Sequence, residues 1–493
     1  MLRLYTGADD DGKGSAMADE RRPVVETGSG PVRGVEEGRV AAFRGIEYAA
    51  SPVGPLRFAP PRPHPGWTGV RDAARPGPSV PQGPSRLEAV MGRRVPDWNE
   101  DGCLNLNVWT PALEPGAPPR PVLVWFHGGG FSSGSGGWDW YDGARLAAMG
   151  GIVVVTTNYR IGALGYLRLP DLGADNIGCQ DQAAALRWVR DNIAAFGGDP
   201  GLVTVGGQSA GAYSAVALAV DPATSGLVRR VIAQSGPWGM EPGDPAHAAD
   251  IAAFYLRHLG VDSAADLRGL PVERLLDATG QVAAEFARTG DVAPPIRPVL
   301  GGAGLPRALG QAVADGLLDG KDVLLGSNED ELTAFFAFDP SIRNLTPDAA
   351  RAFTGAYDEY AARRPGASPA QILTAVFGDQ VFHAGVAEIA ERRADQGVRT
   401  YVYRFARRPP GDDGTLGATH CAELPFLFGT FDAYPDAPML GTAGADDHAL
   451  ARAFGGALAA FTATGSPNAD DLAGWPPYRP GPEAHAMRFP ASP

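Results

Sequence analysis

The segment from Phe196 to Val220, FGGDPGLVTVGGQSAGAYSAVALAV, constrains the fold of this chain more than any other. Leu202–Gly206 (LVTVG) is a β-branched run that is nearly continuous in apolar character, the pattern of a parallel strand covered on both faces. It runs into Gly207-Gln208-Ser209-Ala210-Gly211, and Ala212–Val220 follows as an apolar helix. The glycines stand two residues either side of Ser209. There the neighbouring strand and helix approach too closely for a Cβ, and the serine backbone between them is strained. A G-x-S-x-G turn of this kind exposes a serine hydroxyl at the edge of a sheet, with a helix N-terminus that favours a developing anion.

Pro121–Phe126, Gly151–Thr157, Val228–Gln234, Val323–Gly326 and Val398–Phe405 also read as strands. Gln180–Phe196 reads as a helix, because Leu186, Val189, Ile193 and Phe196 recur at spacings of three and four. Strands alternating with helices predict an α/β fold: a mostly parallel central sheet with helices on both faces. Residues 240–320 are the most helical and least strand-like part and are expected as a helical insertion over that sheet. Residues 1–22, polar and charged with a second Met at Met17, read as a leader or tag outside the fold.

Composition removes several function classes. Lys+Arg of 42 against Asp+Glu of 56 gives a net charge of −14, which disfavours nucleic acid or an anionic membrane as partner and says nothing about assembly. No stretch approaches eighteen apolar residues, and no secretory apolar run lies in the first thirty. Cys103, Cys179 and Cys421 form no CxxC pair, which argues against a disulfide framework and a structural zinc site. The cytoplasm is the expected compartment.

A second segment carries chemistry. Phe126-His127-Gly128-Gly129-Gly130-Phe131 follows a strand directly, and three successive glycines let bare backbone amides face an oxyanion. Further motifs stand in order along the chain: FRGIEYAASPVGPLRF at 43–58, DGCLNLNV at 101–108, NYR at 158–160, QSG at 234–236 and FTATGSPN at 461–468. With them the chain resembles the type B carboxylesterases of the α/β-hydrolase superfamily, a group that includes cholinesterases and bacterial para-nitrobenzyl esterases. The similarity runs from about residue 24 to about residue 490. It implies one catalytic domain over 23–493, replacing the roughly three domains that length alone suggests.

The resemblance also implies the other site residues. In Gly326-Ser327-Asn328-Glu329-Asp330-Glu331 the chemistry leaves three adjacent carboxylates open, and the family's G-x-N-x-D-E pattern points to Glu331, with Asp330 as runner-up. Four histidines follow, His383, His420, His448 and His485. His420, in GATHCAELPFLFG at 417–429, fits the family's histidine loop, with Glu423, Phe426 and Phe428 at matching offsets. Ser209, Glu331 and His420 are thus the expected catalytic triad, with Gly129, Gly130 and Ala210 as oxyanion donors. On this reading Gly129→Pro should delete a donor and leave the fold intact.

The expected activity is hydrolysis of small to medium apolar or aryl esters through an acyl-serine, with no cofactor or metal. Phe131, Gln208, Trp238 and Phe335 are candidate pocket residues, and Trp138, Trp140 and Tyr213 belong to the same aromatic group. Cholinesterases carry Glu where Gln208 stands and Trp near the position of Arg93. An amide and a cation there argue against choline esters. Cys103 also has no disulfide partner within residues 1–102. Amides, carbamates and polyester oligomers are alternative substrates for the same triad, and a non-catalytic binding protein of the same fold is a rival from another class.

Overall fold

The computed structural model describes residues 22–95, 97–111, 113, 116–288, 292–468, 474–481 and 486–490. The first strands are β1 (Val24–Thr27), β2 (Gly30–Arg33), β3 (Val35–Glu37), β4 (Val40–Glu47), β5 (Arg71–Asp72) and β6 (Asn105–Pro111). There follow β7 (Arg120–Phe126), β8 (Val153–Thr157), β9 (Gly198–Gln208), β10 (Arg230–Gln234), β11 (Asp322–Asn328), β12 (Thr400–Phe405) and β13 (Met487–Phe489). Ten of them form one sheet in the order β13-β12-β11-β10-β9-β7-β8-β6-β4-β3, and β1, β2 and β5 form a small second sheet. From β13 to β8 every neighbouring pair is parallel, while β6, β4 and β3 complete the sheet with antiparallel pairings.

The near-continuous apolar strands are explained by their two faces. Val122, Val124 and Phe126 of β7 enter one core while Leu123 and Trp125 enter the other. Val153 and Val155 of β8 likewise oppose Val154. Helix Ala210–Val220 is buried along its whole length against β9 and β10, so its apolar character needs no polar stripe. The 20-residue helix Ala445–Thr464 packs Phe454, Leu458 and Phe461 into the opposite core.

The expected strands all form, with ends shifted by a few residues. The expected helix is Ile177–Asn192, closed by a 3₁₀ turn at Ile193–Phe196. Between β10 and β11 the chain is helical, with Pro245–Leu259, Val272–Phe286 and Leu309–Ala314. A second helical stretch, Thr333–Asp395, goes beyond the expectation. Residues 1–21, most of the expected leader, lie outside the described residues. Arg22 belongs to the fold: its guanidinium donates to the Gly34 carbonyl at 2.7 Å and pairs with Asp72. No described helix is long and apolar enough to cross a membrane.

The connections locate the site. After β7 the chain adds β8 on one side, and β9 then returns to β7's other flank, so the strand order reverses there. Open α/β sheets bind ligands at such a reversal, beyond the carboxyl ends of the strands. Registers bring those ends level: Phe126 lies opposite Gly207, Gln208 opposite Gln234, and Gln234 opposite Gly326.

Candidate active site

Ser209 immediately follows β9 at this edge with φ 57° and ψ −123°, a left-handed strained conformation, and starts helix Ala210–Val220. Its N–H donates to the Gln234 carbonyl at 2.8 Å, which fixes the turn to β10. A Cβ on Gly211 would strike the Phe126 carbonyl, and one on Gly207 would meet both that oxygen and the backbone of Gly211. Both glycines are therefore required by close approach.

Beyond β11 the three adjacent carboxylates part company. Glu329 pairs with Arg488, and Asp330 accepts from the Ala418 N–H at 2.9 Å and faces Arg408. Glu331 turns inward: one oxygen accepts from the Asn328 N–H at 2.7 Å, and the other lies 2.5 Å from His420 Nδ1. His420 is carried on a loop tied down by Asn328, whose side-chain amide donates to the Thr419 carbonyl at 2.6 Å. Phe382 and Phe335 flank the imidazole, with ring centres at 5.0 and 5.5 Å.

With Nδ1–H directed at Glu331, Nε2 presents its lone pair. The partner found there is the Gln208 side-chain amide, 3.1 Å away. Among the described residues Ser209 and His420 share no hydrogen bond, although both line one cavity of about 300 Å³. Catalytic contacts commonly tighten only once substrate is bound. Burial alone would push the Glu331 carboxyl up, but His420 against it, with smaller help from Ser235 and His383, holds it below the usual value.

Gly129, Gly130 and Ala210 line the same cavity, and no described acceptor takes their N–H groups. His127 stacks on Tyr159 at 4.4 Å, and the Tyr159 hydroxyl donates to the His127 carbonyl at 2.7 Å, which braces the start of the glycine loop. Burial lowers the His127 pKa to about 4, so it stays neutral. Gly129 has φ 111°, and a Cβ there would collide with the Ser133 carbonyl. Proline is confined to φ near −65°, so Gly129→Pro would deform the loop instead of deleting one donor.

Of the expected pocket residues, Phe131, Gln208 and Phe335 line the cavity, as do Trp138 and Trp140. Trp238 does not. Its ring packs against Gly236 and its Cβ against Gly385, so it supports the wall from behind. Tyr213 likewise lies behind Phe131, at 6.0 Å between ring centres. Arg93 is exposed and off the cavity, while the next residue, Arg94, lies over Trp138 and Trp140. Missing from the sequence reading are Arg86, Met91, Val292, Phe377, Val381 and Phe382. They come from loops and short helices with no local motif. Phe382 sits in a π-helical turn, Asp379–His383, a rare element frequent at functional sites.

Comparison with known proteins places the chain in a family. The profile of the carboxylesterase family matches residues 21–488. The phenmedipham hydrolase of Pseudarthrobacter oxydans is 39% identical over 93% of each chain. The para-nitrobenzyl esterase of Bacillus subtilis (strain 168) is 35% identical over 92% of each. A solved Geobacillus stearothermophilus carboxylesterase superposes with a TM-score of 0.81 at 36% identity, covering 93% of this chain and 94% of that one. The chain belongs to the carboxylesterase family and is a carboxylic-ester hydrolase of the α/β-hydrolase fold.

Proposed function

We propose that Ser209, Glu331 and His420 act as nucleophile, acid and base in ester hydrolysis through an acyl-serine. The observation that carries this is the 2.5 Å contact between the buried Glu331 carboxylate and His420 Nδ1, beside a cavity shared with Ser209. Substrate entering the cavity draws Nε2 from the Gln208 amide to the Ser209 hydroxyl. Nε2 takes the hydroxyl proton as Ser209 Oγ attacks the ester carbonyl, and Glu331 holds the imidazolium in place. The N–H groups of Gly129, Gly130 and Ala210 receive the oxyanion. His420 then gives its proton to the leaving alcohol, and a water it activates releases the acid and frees Ser209.

A cavity of about 300 Å³ walled by Phe, Trp and Met side chains supports small to medium apolar or aryl esters. That one relative is a para-nitrobenzyl esterase and another a phenmedipham hydrolase supports a site that tolerates more than one leaving group. Three free buried cysteines support a reducing compartment, the cytoplasm. The test is hydrolysis of para-nitrophenyl esters from acetate to octanoate beside Ser209→Ala. We expect the variant to fall to near background while unfolding at the wild-type temperature, with an optimum at short to medium acyl chains. Retained turnover in a folded Ser209→Ala protein would reject the nucleophile.

A further inference from the structure

The cavity wall is apolar except for a few groups, and one of these has no carboxylate partner among the described residues. Arg86 sits at the mouth with its guanidinium carbon 5.6 Å from the centre of the Phe335 ring, the ring that flanks His420 at 5.5 Å. It donates one hydrogen bond, from Nη2 to the Val292 carbonyl at 2.7 Å, and no described carboxylate pairs with it. Several other crowded arginines do pair with acids: Arg57 has Glu100, Arg160 has Asp181 and Arg407 has Asp447. The wall also carries Arg297 and Glu241, of opposite sign, and the Arg297 guanidinium donates to the Glu241 backbone carbonyl at 3.0 Å. Surrounding protein crowds Arg86 enough to lower its pKa, although the residue remains open to solvent at the mouth. A guanidinium partly stripped of water, with most of its donors unused, beside a reacting centre, favours a planar anion as its partner.

We propose that Arg86 binds a carboxylate on the substrate, so that the preferred substrates are esters bearing a free carboxylate group. The proposal rests on the reading of this cavity as the ester-hydrolysing site. It adds a second point of recognition: the ester at Ser209, and the anion across the Phe335 ring, within about 11 Å of the imidazole by the two ring contacts. The net charge of −14 repels anions in general, so a preference for one must come from a local group such as this.

The test compares near-isosteric pairs that differ in charge: 4-(butyryloxy)benzoate against 4-(butyryloxy)benzamide for the alcohol side, and 4-nitrophenyl hydrogen adipate against 4-nitrophenyl hexanoate for the acyl side. In the wild type the ratio of kcat/KM, anionic over neutral, should exceed one in at least one pair. Arg86→Gln should lower that ratio by about ten- to a hundredfold, mainly through KM, as expected for loss of a charge-assisted hydrogen bond. Arg86→Lys should retain most of it, and Arg86→Glu should invert it. A ratio unchanged in Arg86→Gln overturns the proposal, including the case where Arg297 alone reads the charge. A wild type inert on the neutral esters as well would instead overturn the ester-hydrolase reading of the site.

Discussion

Glu423 is fully buried behind the triad, with one oxygen accepting from the Asn328 amide at 2.6 Å and the other without a partner among the described residues. Burial first, and the nearby Glu331 carboxylate second, push its pKa from 4.5 up to about 7. The folded protein therefore holds a proton that the unfolded chain has already released. The stabilisation is full below about pH 4.5 and is lost as pH rises through about 7, to the extent of about 3 kcal/mol. Glu423→Gln should remove this dependence. Its melting temperature relative to wild type should rise by a few degrees between pH 5 and pH 8, and a difference that stays constant with pH would show that the carboxyl is ionised throughout. Residue-scale chemistry of this sort is only half legible in the sequence. Glu423 was marked by its offset from His420, and the carboxylate run at 329–331 was found. What separates those three acids is the partner each meets: Arg488, the Ala418 N–H or His420, contributed by segments 88 to 159 residues away.

At the scale of elements, the site depends on how the loop after β8 grips its neighbours. Arg160 donates from Nε and Nη2 to Asp181 at 2.8 Å each, and its backbone N–H reaches the same carboxylate at 3.0 Å. The pair is almost wholly buried and joins the loop to helix Ile177–Asn192. The same loop holds the glycine loop from behind, through Tyr159 and through the Gly162 N–H on the Phe131 carbonyl at 2.6 Å. Asp181→Ala strands a buried guanidinium and should cost about 3–5 kcal/mol. It should also lower kcat, because the proposed oxyanion donors Gly129 and Gly130 lose their backing. Arg160→Met with Asp181→Leu should recover at least half of the stability in urea titrations. Asp181→Ala costing under about 1 kcal/mol would mean that packing alone holds this junction. Elements of this length were readable because β7 to β9 carry long apolar runs and helix Ile177–Asn192 a full stripe. The stretch Thr333–Asp395 was not, since two of its helices, Thr333–Phe336 and Pro340–Arg343, span only four residues, too few for periodicity to register.

For the molecule as a whole, the proposed triad and the cavity wall rest on different foundations. Ser209 and Glu331 sit just past the ends of β9 and β11, inside a ten-stranded sheet with a large core on each face. The wall beside His420 is built from Glu88–Met91, Thr333–Phe336 and the turn Asp379–His383, and much of it packs through a satellite cluster of Leu332, Phe336, Ile342, Leu373 and Phe382. This division explains why the Ser209 turn and the glycine loop stand out in the sequence while Arg86 and Phe382 do not. The former obey local backbone rules, and the latter meet only when distant short elements dock. It also sets the order of loss under denaturant, because small peripheral clusters open at lower free energy than a sheet core. Hydrolysis of para-nitrophenyl butyrate should therefore fall at a lower urea concentration than far-UV ellipticity, by roughly 0.5 M or more. KM should rise before kcat declines, since the wall that binds substrate loosens while Ser209, Glu331 and His420 remain aligned. Coincident midpoints for activity and ellipticity would show instead that the wall is as strongly coupled to the sheet as the triad is, and that the satellite cluster does not unfold on its own.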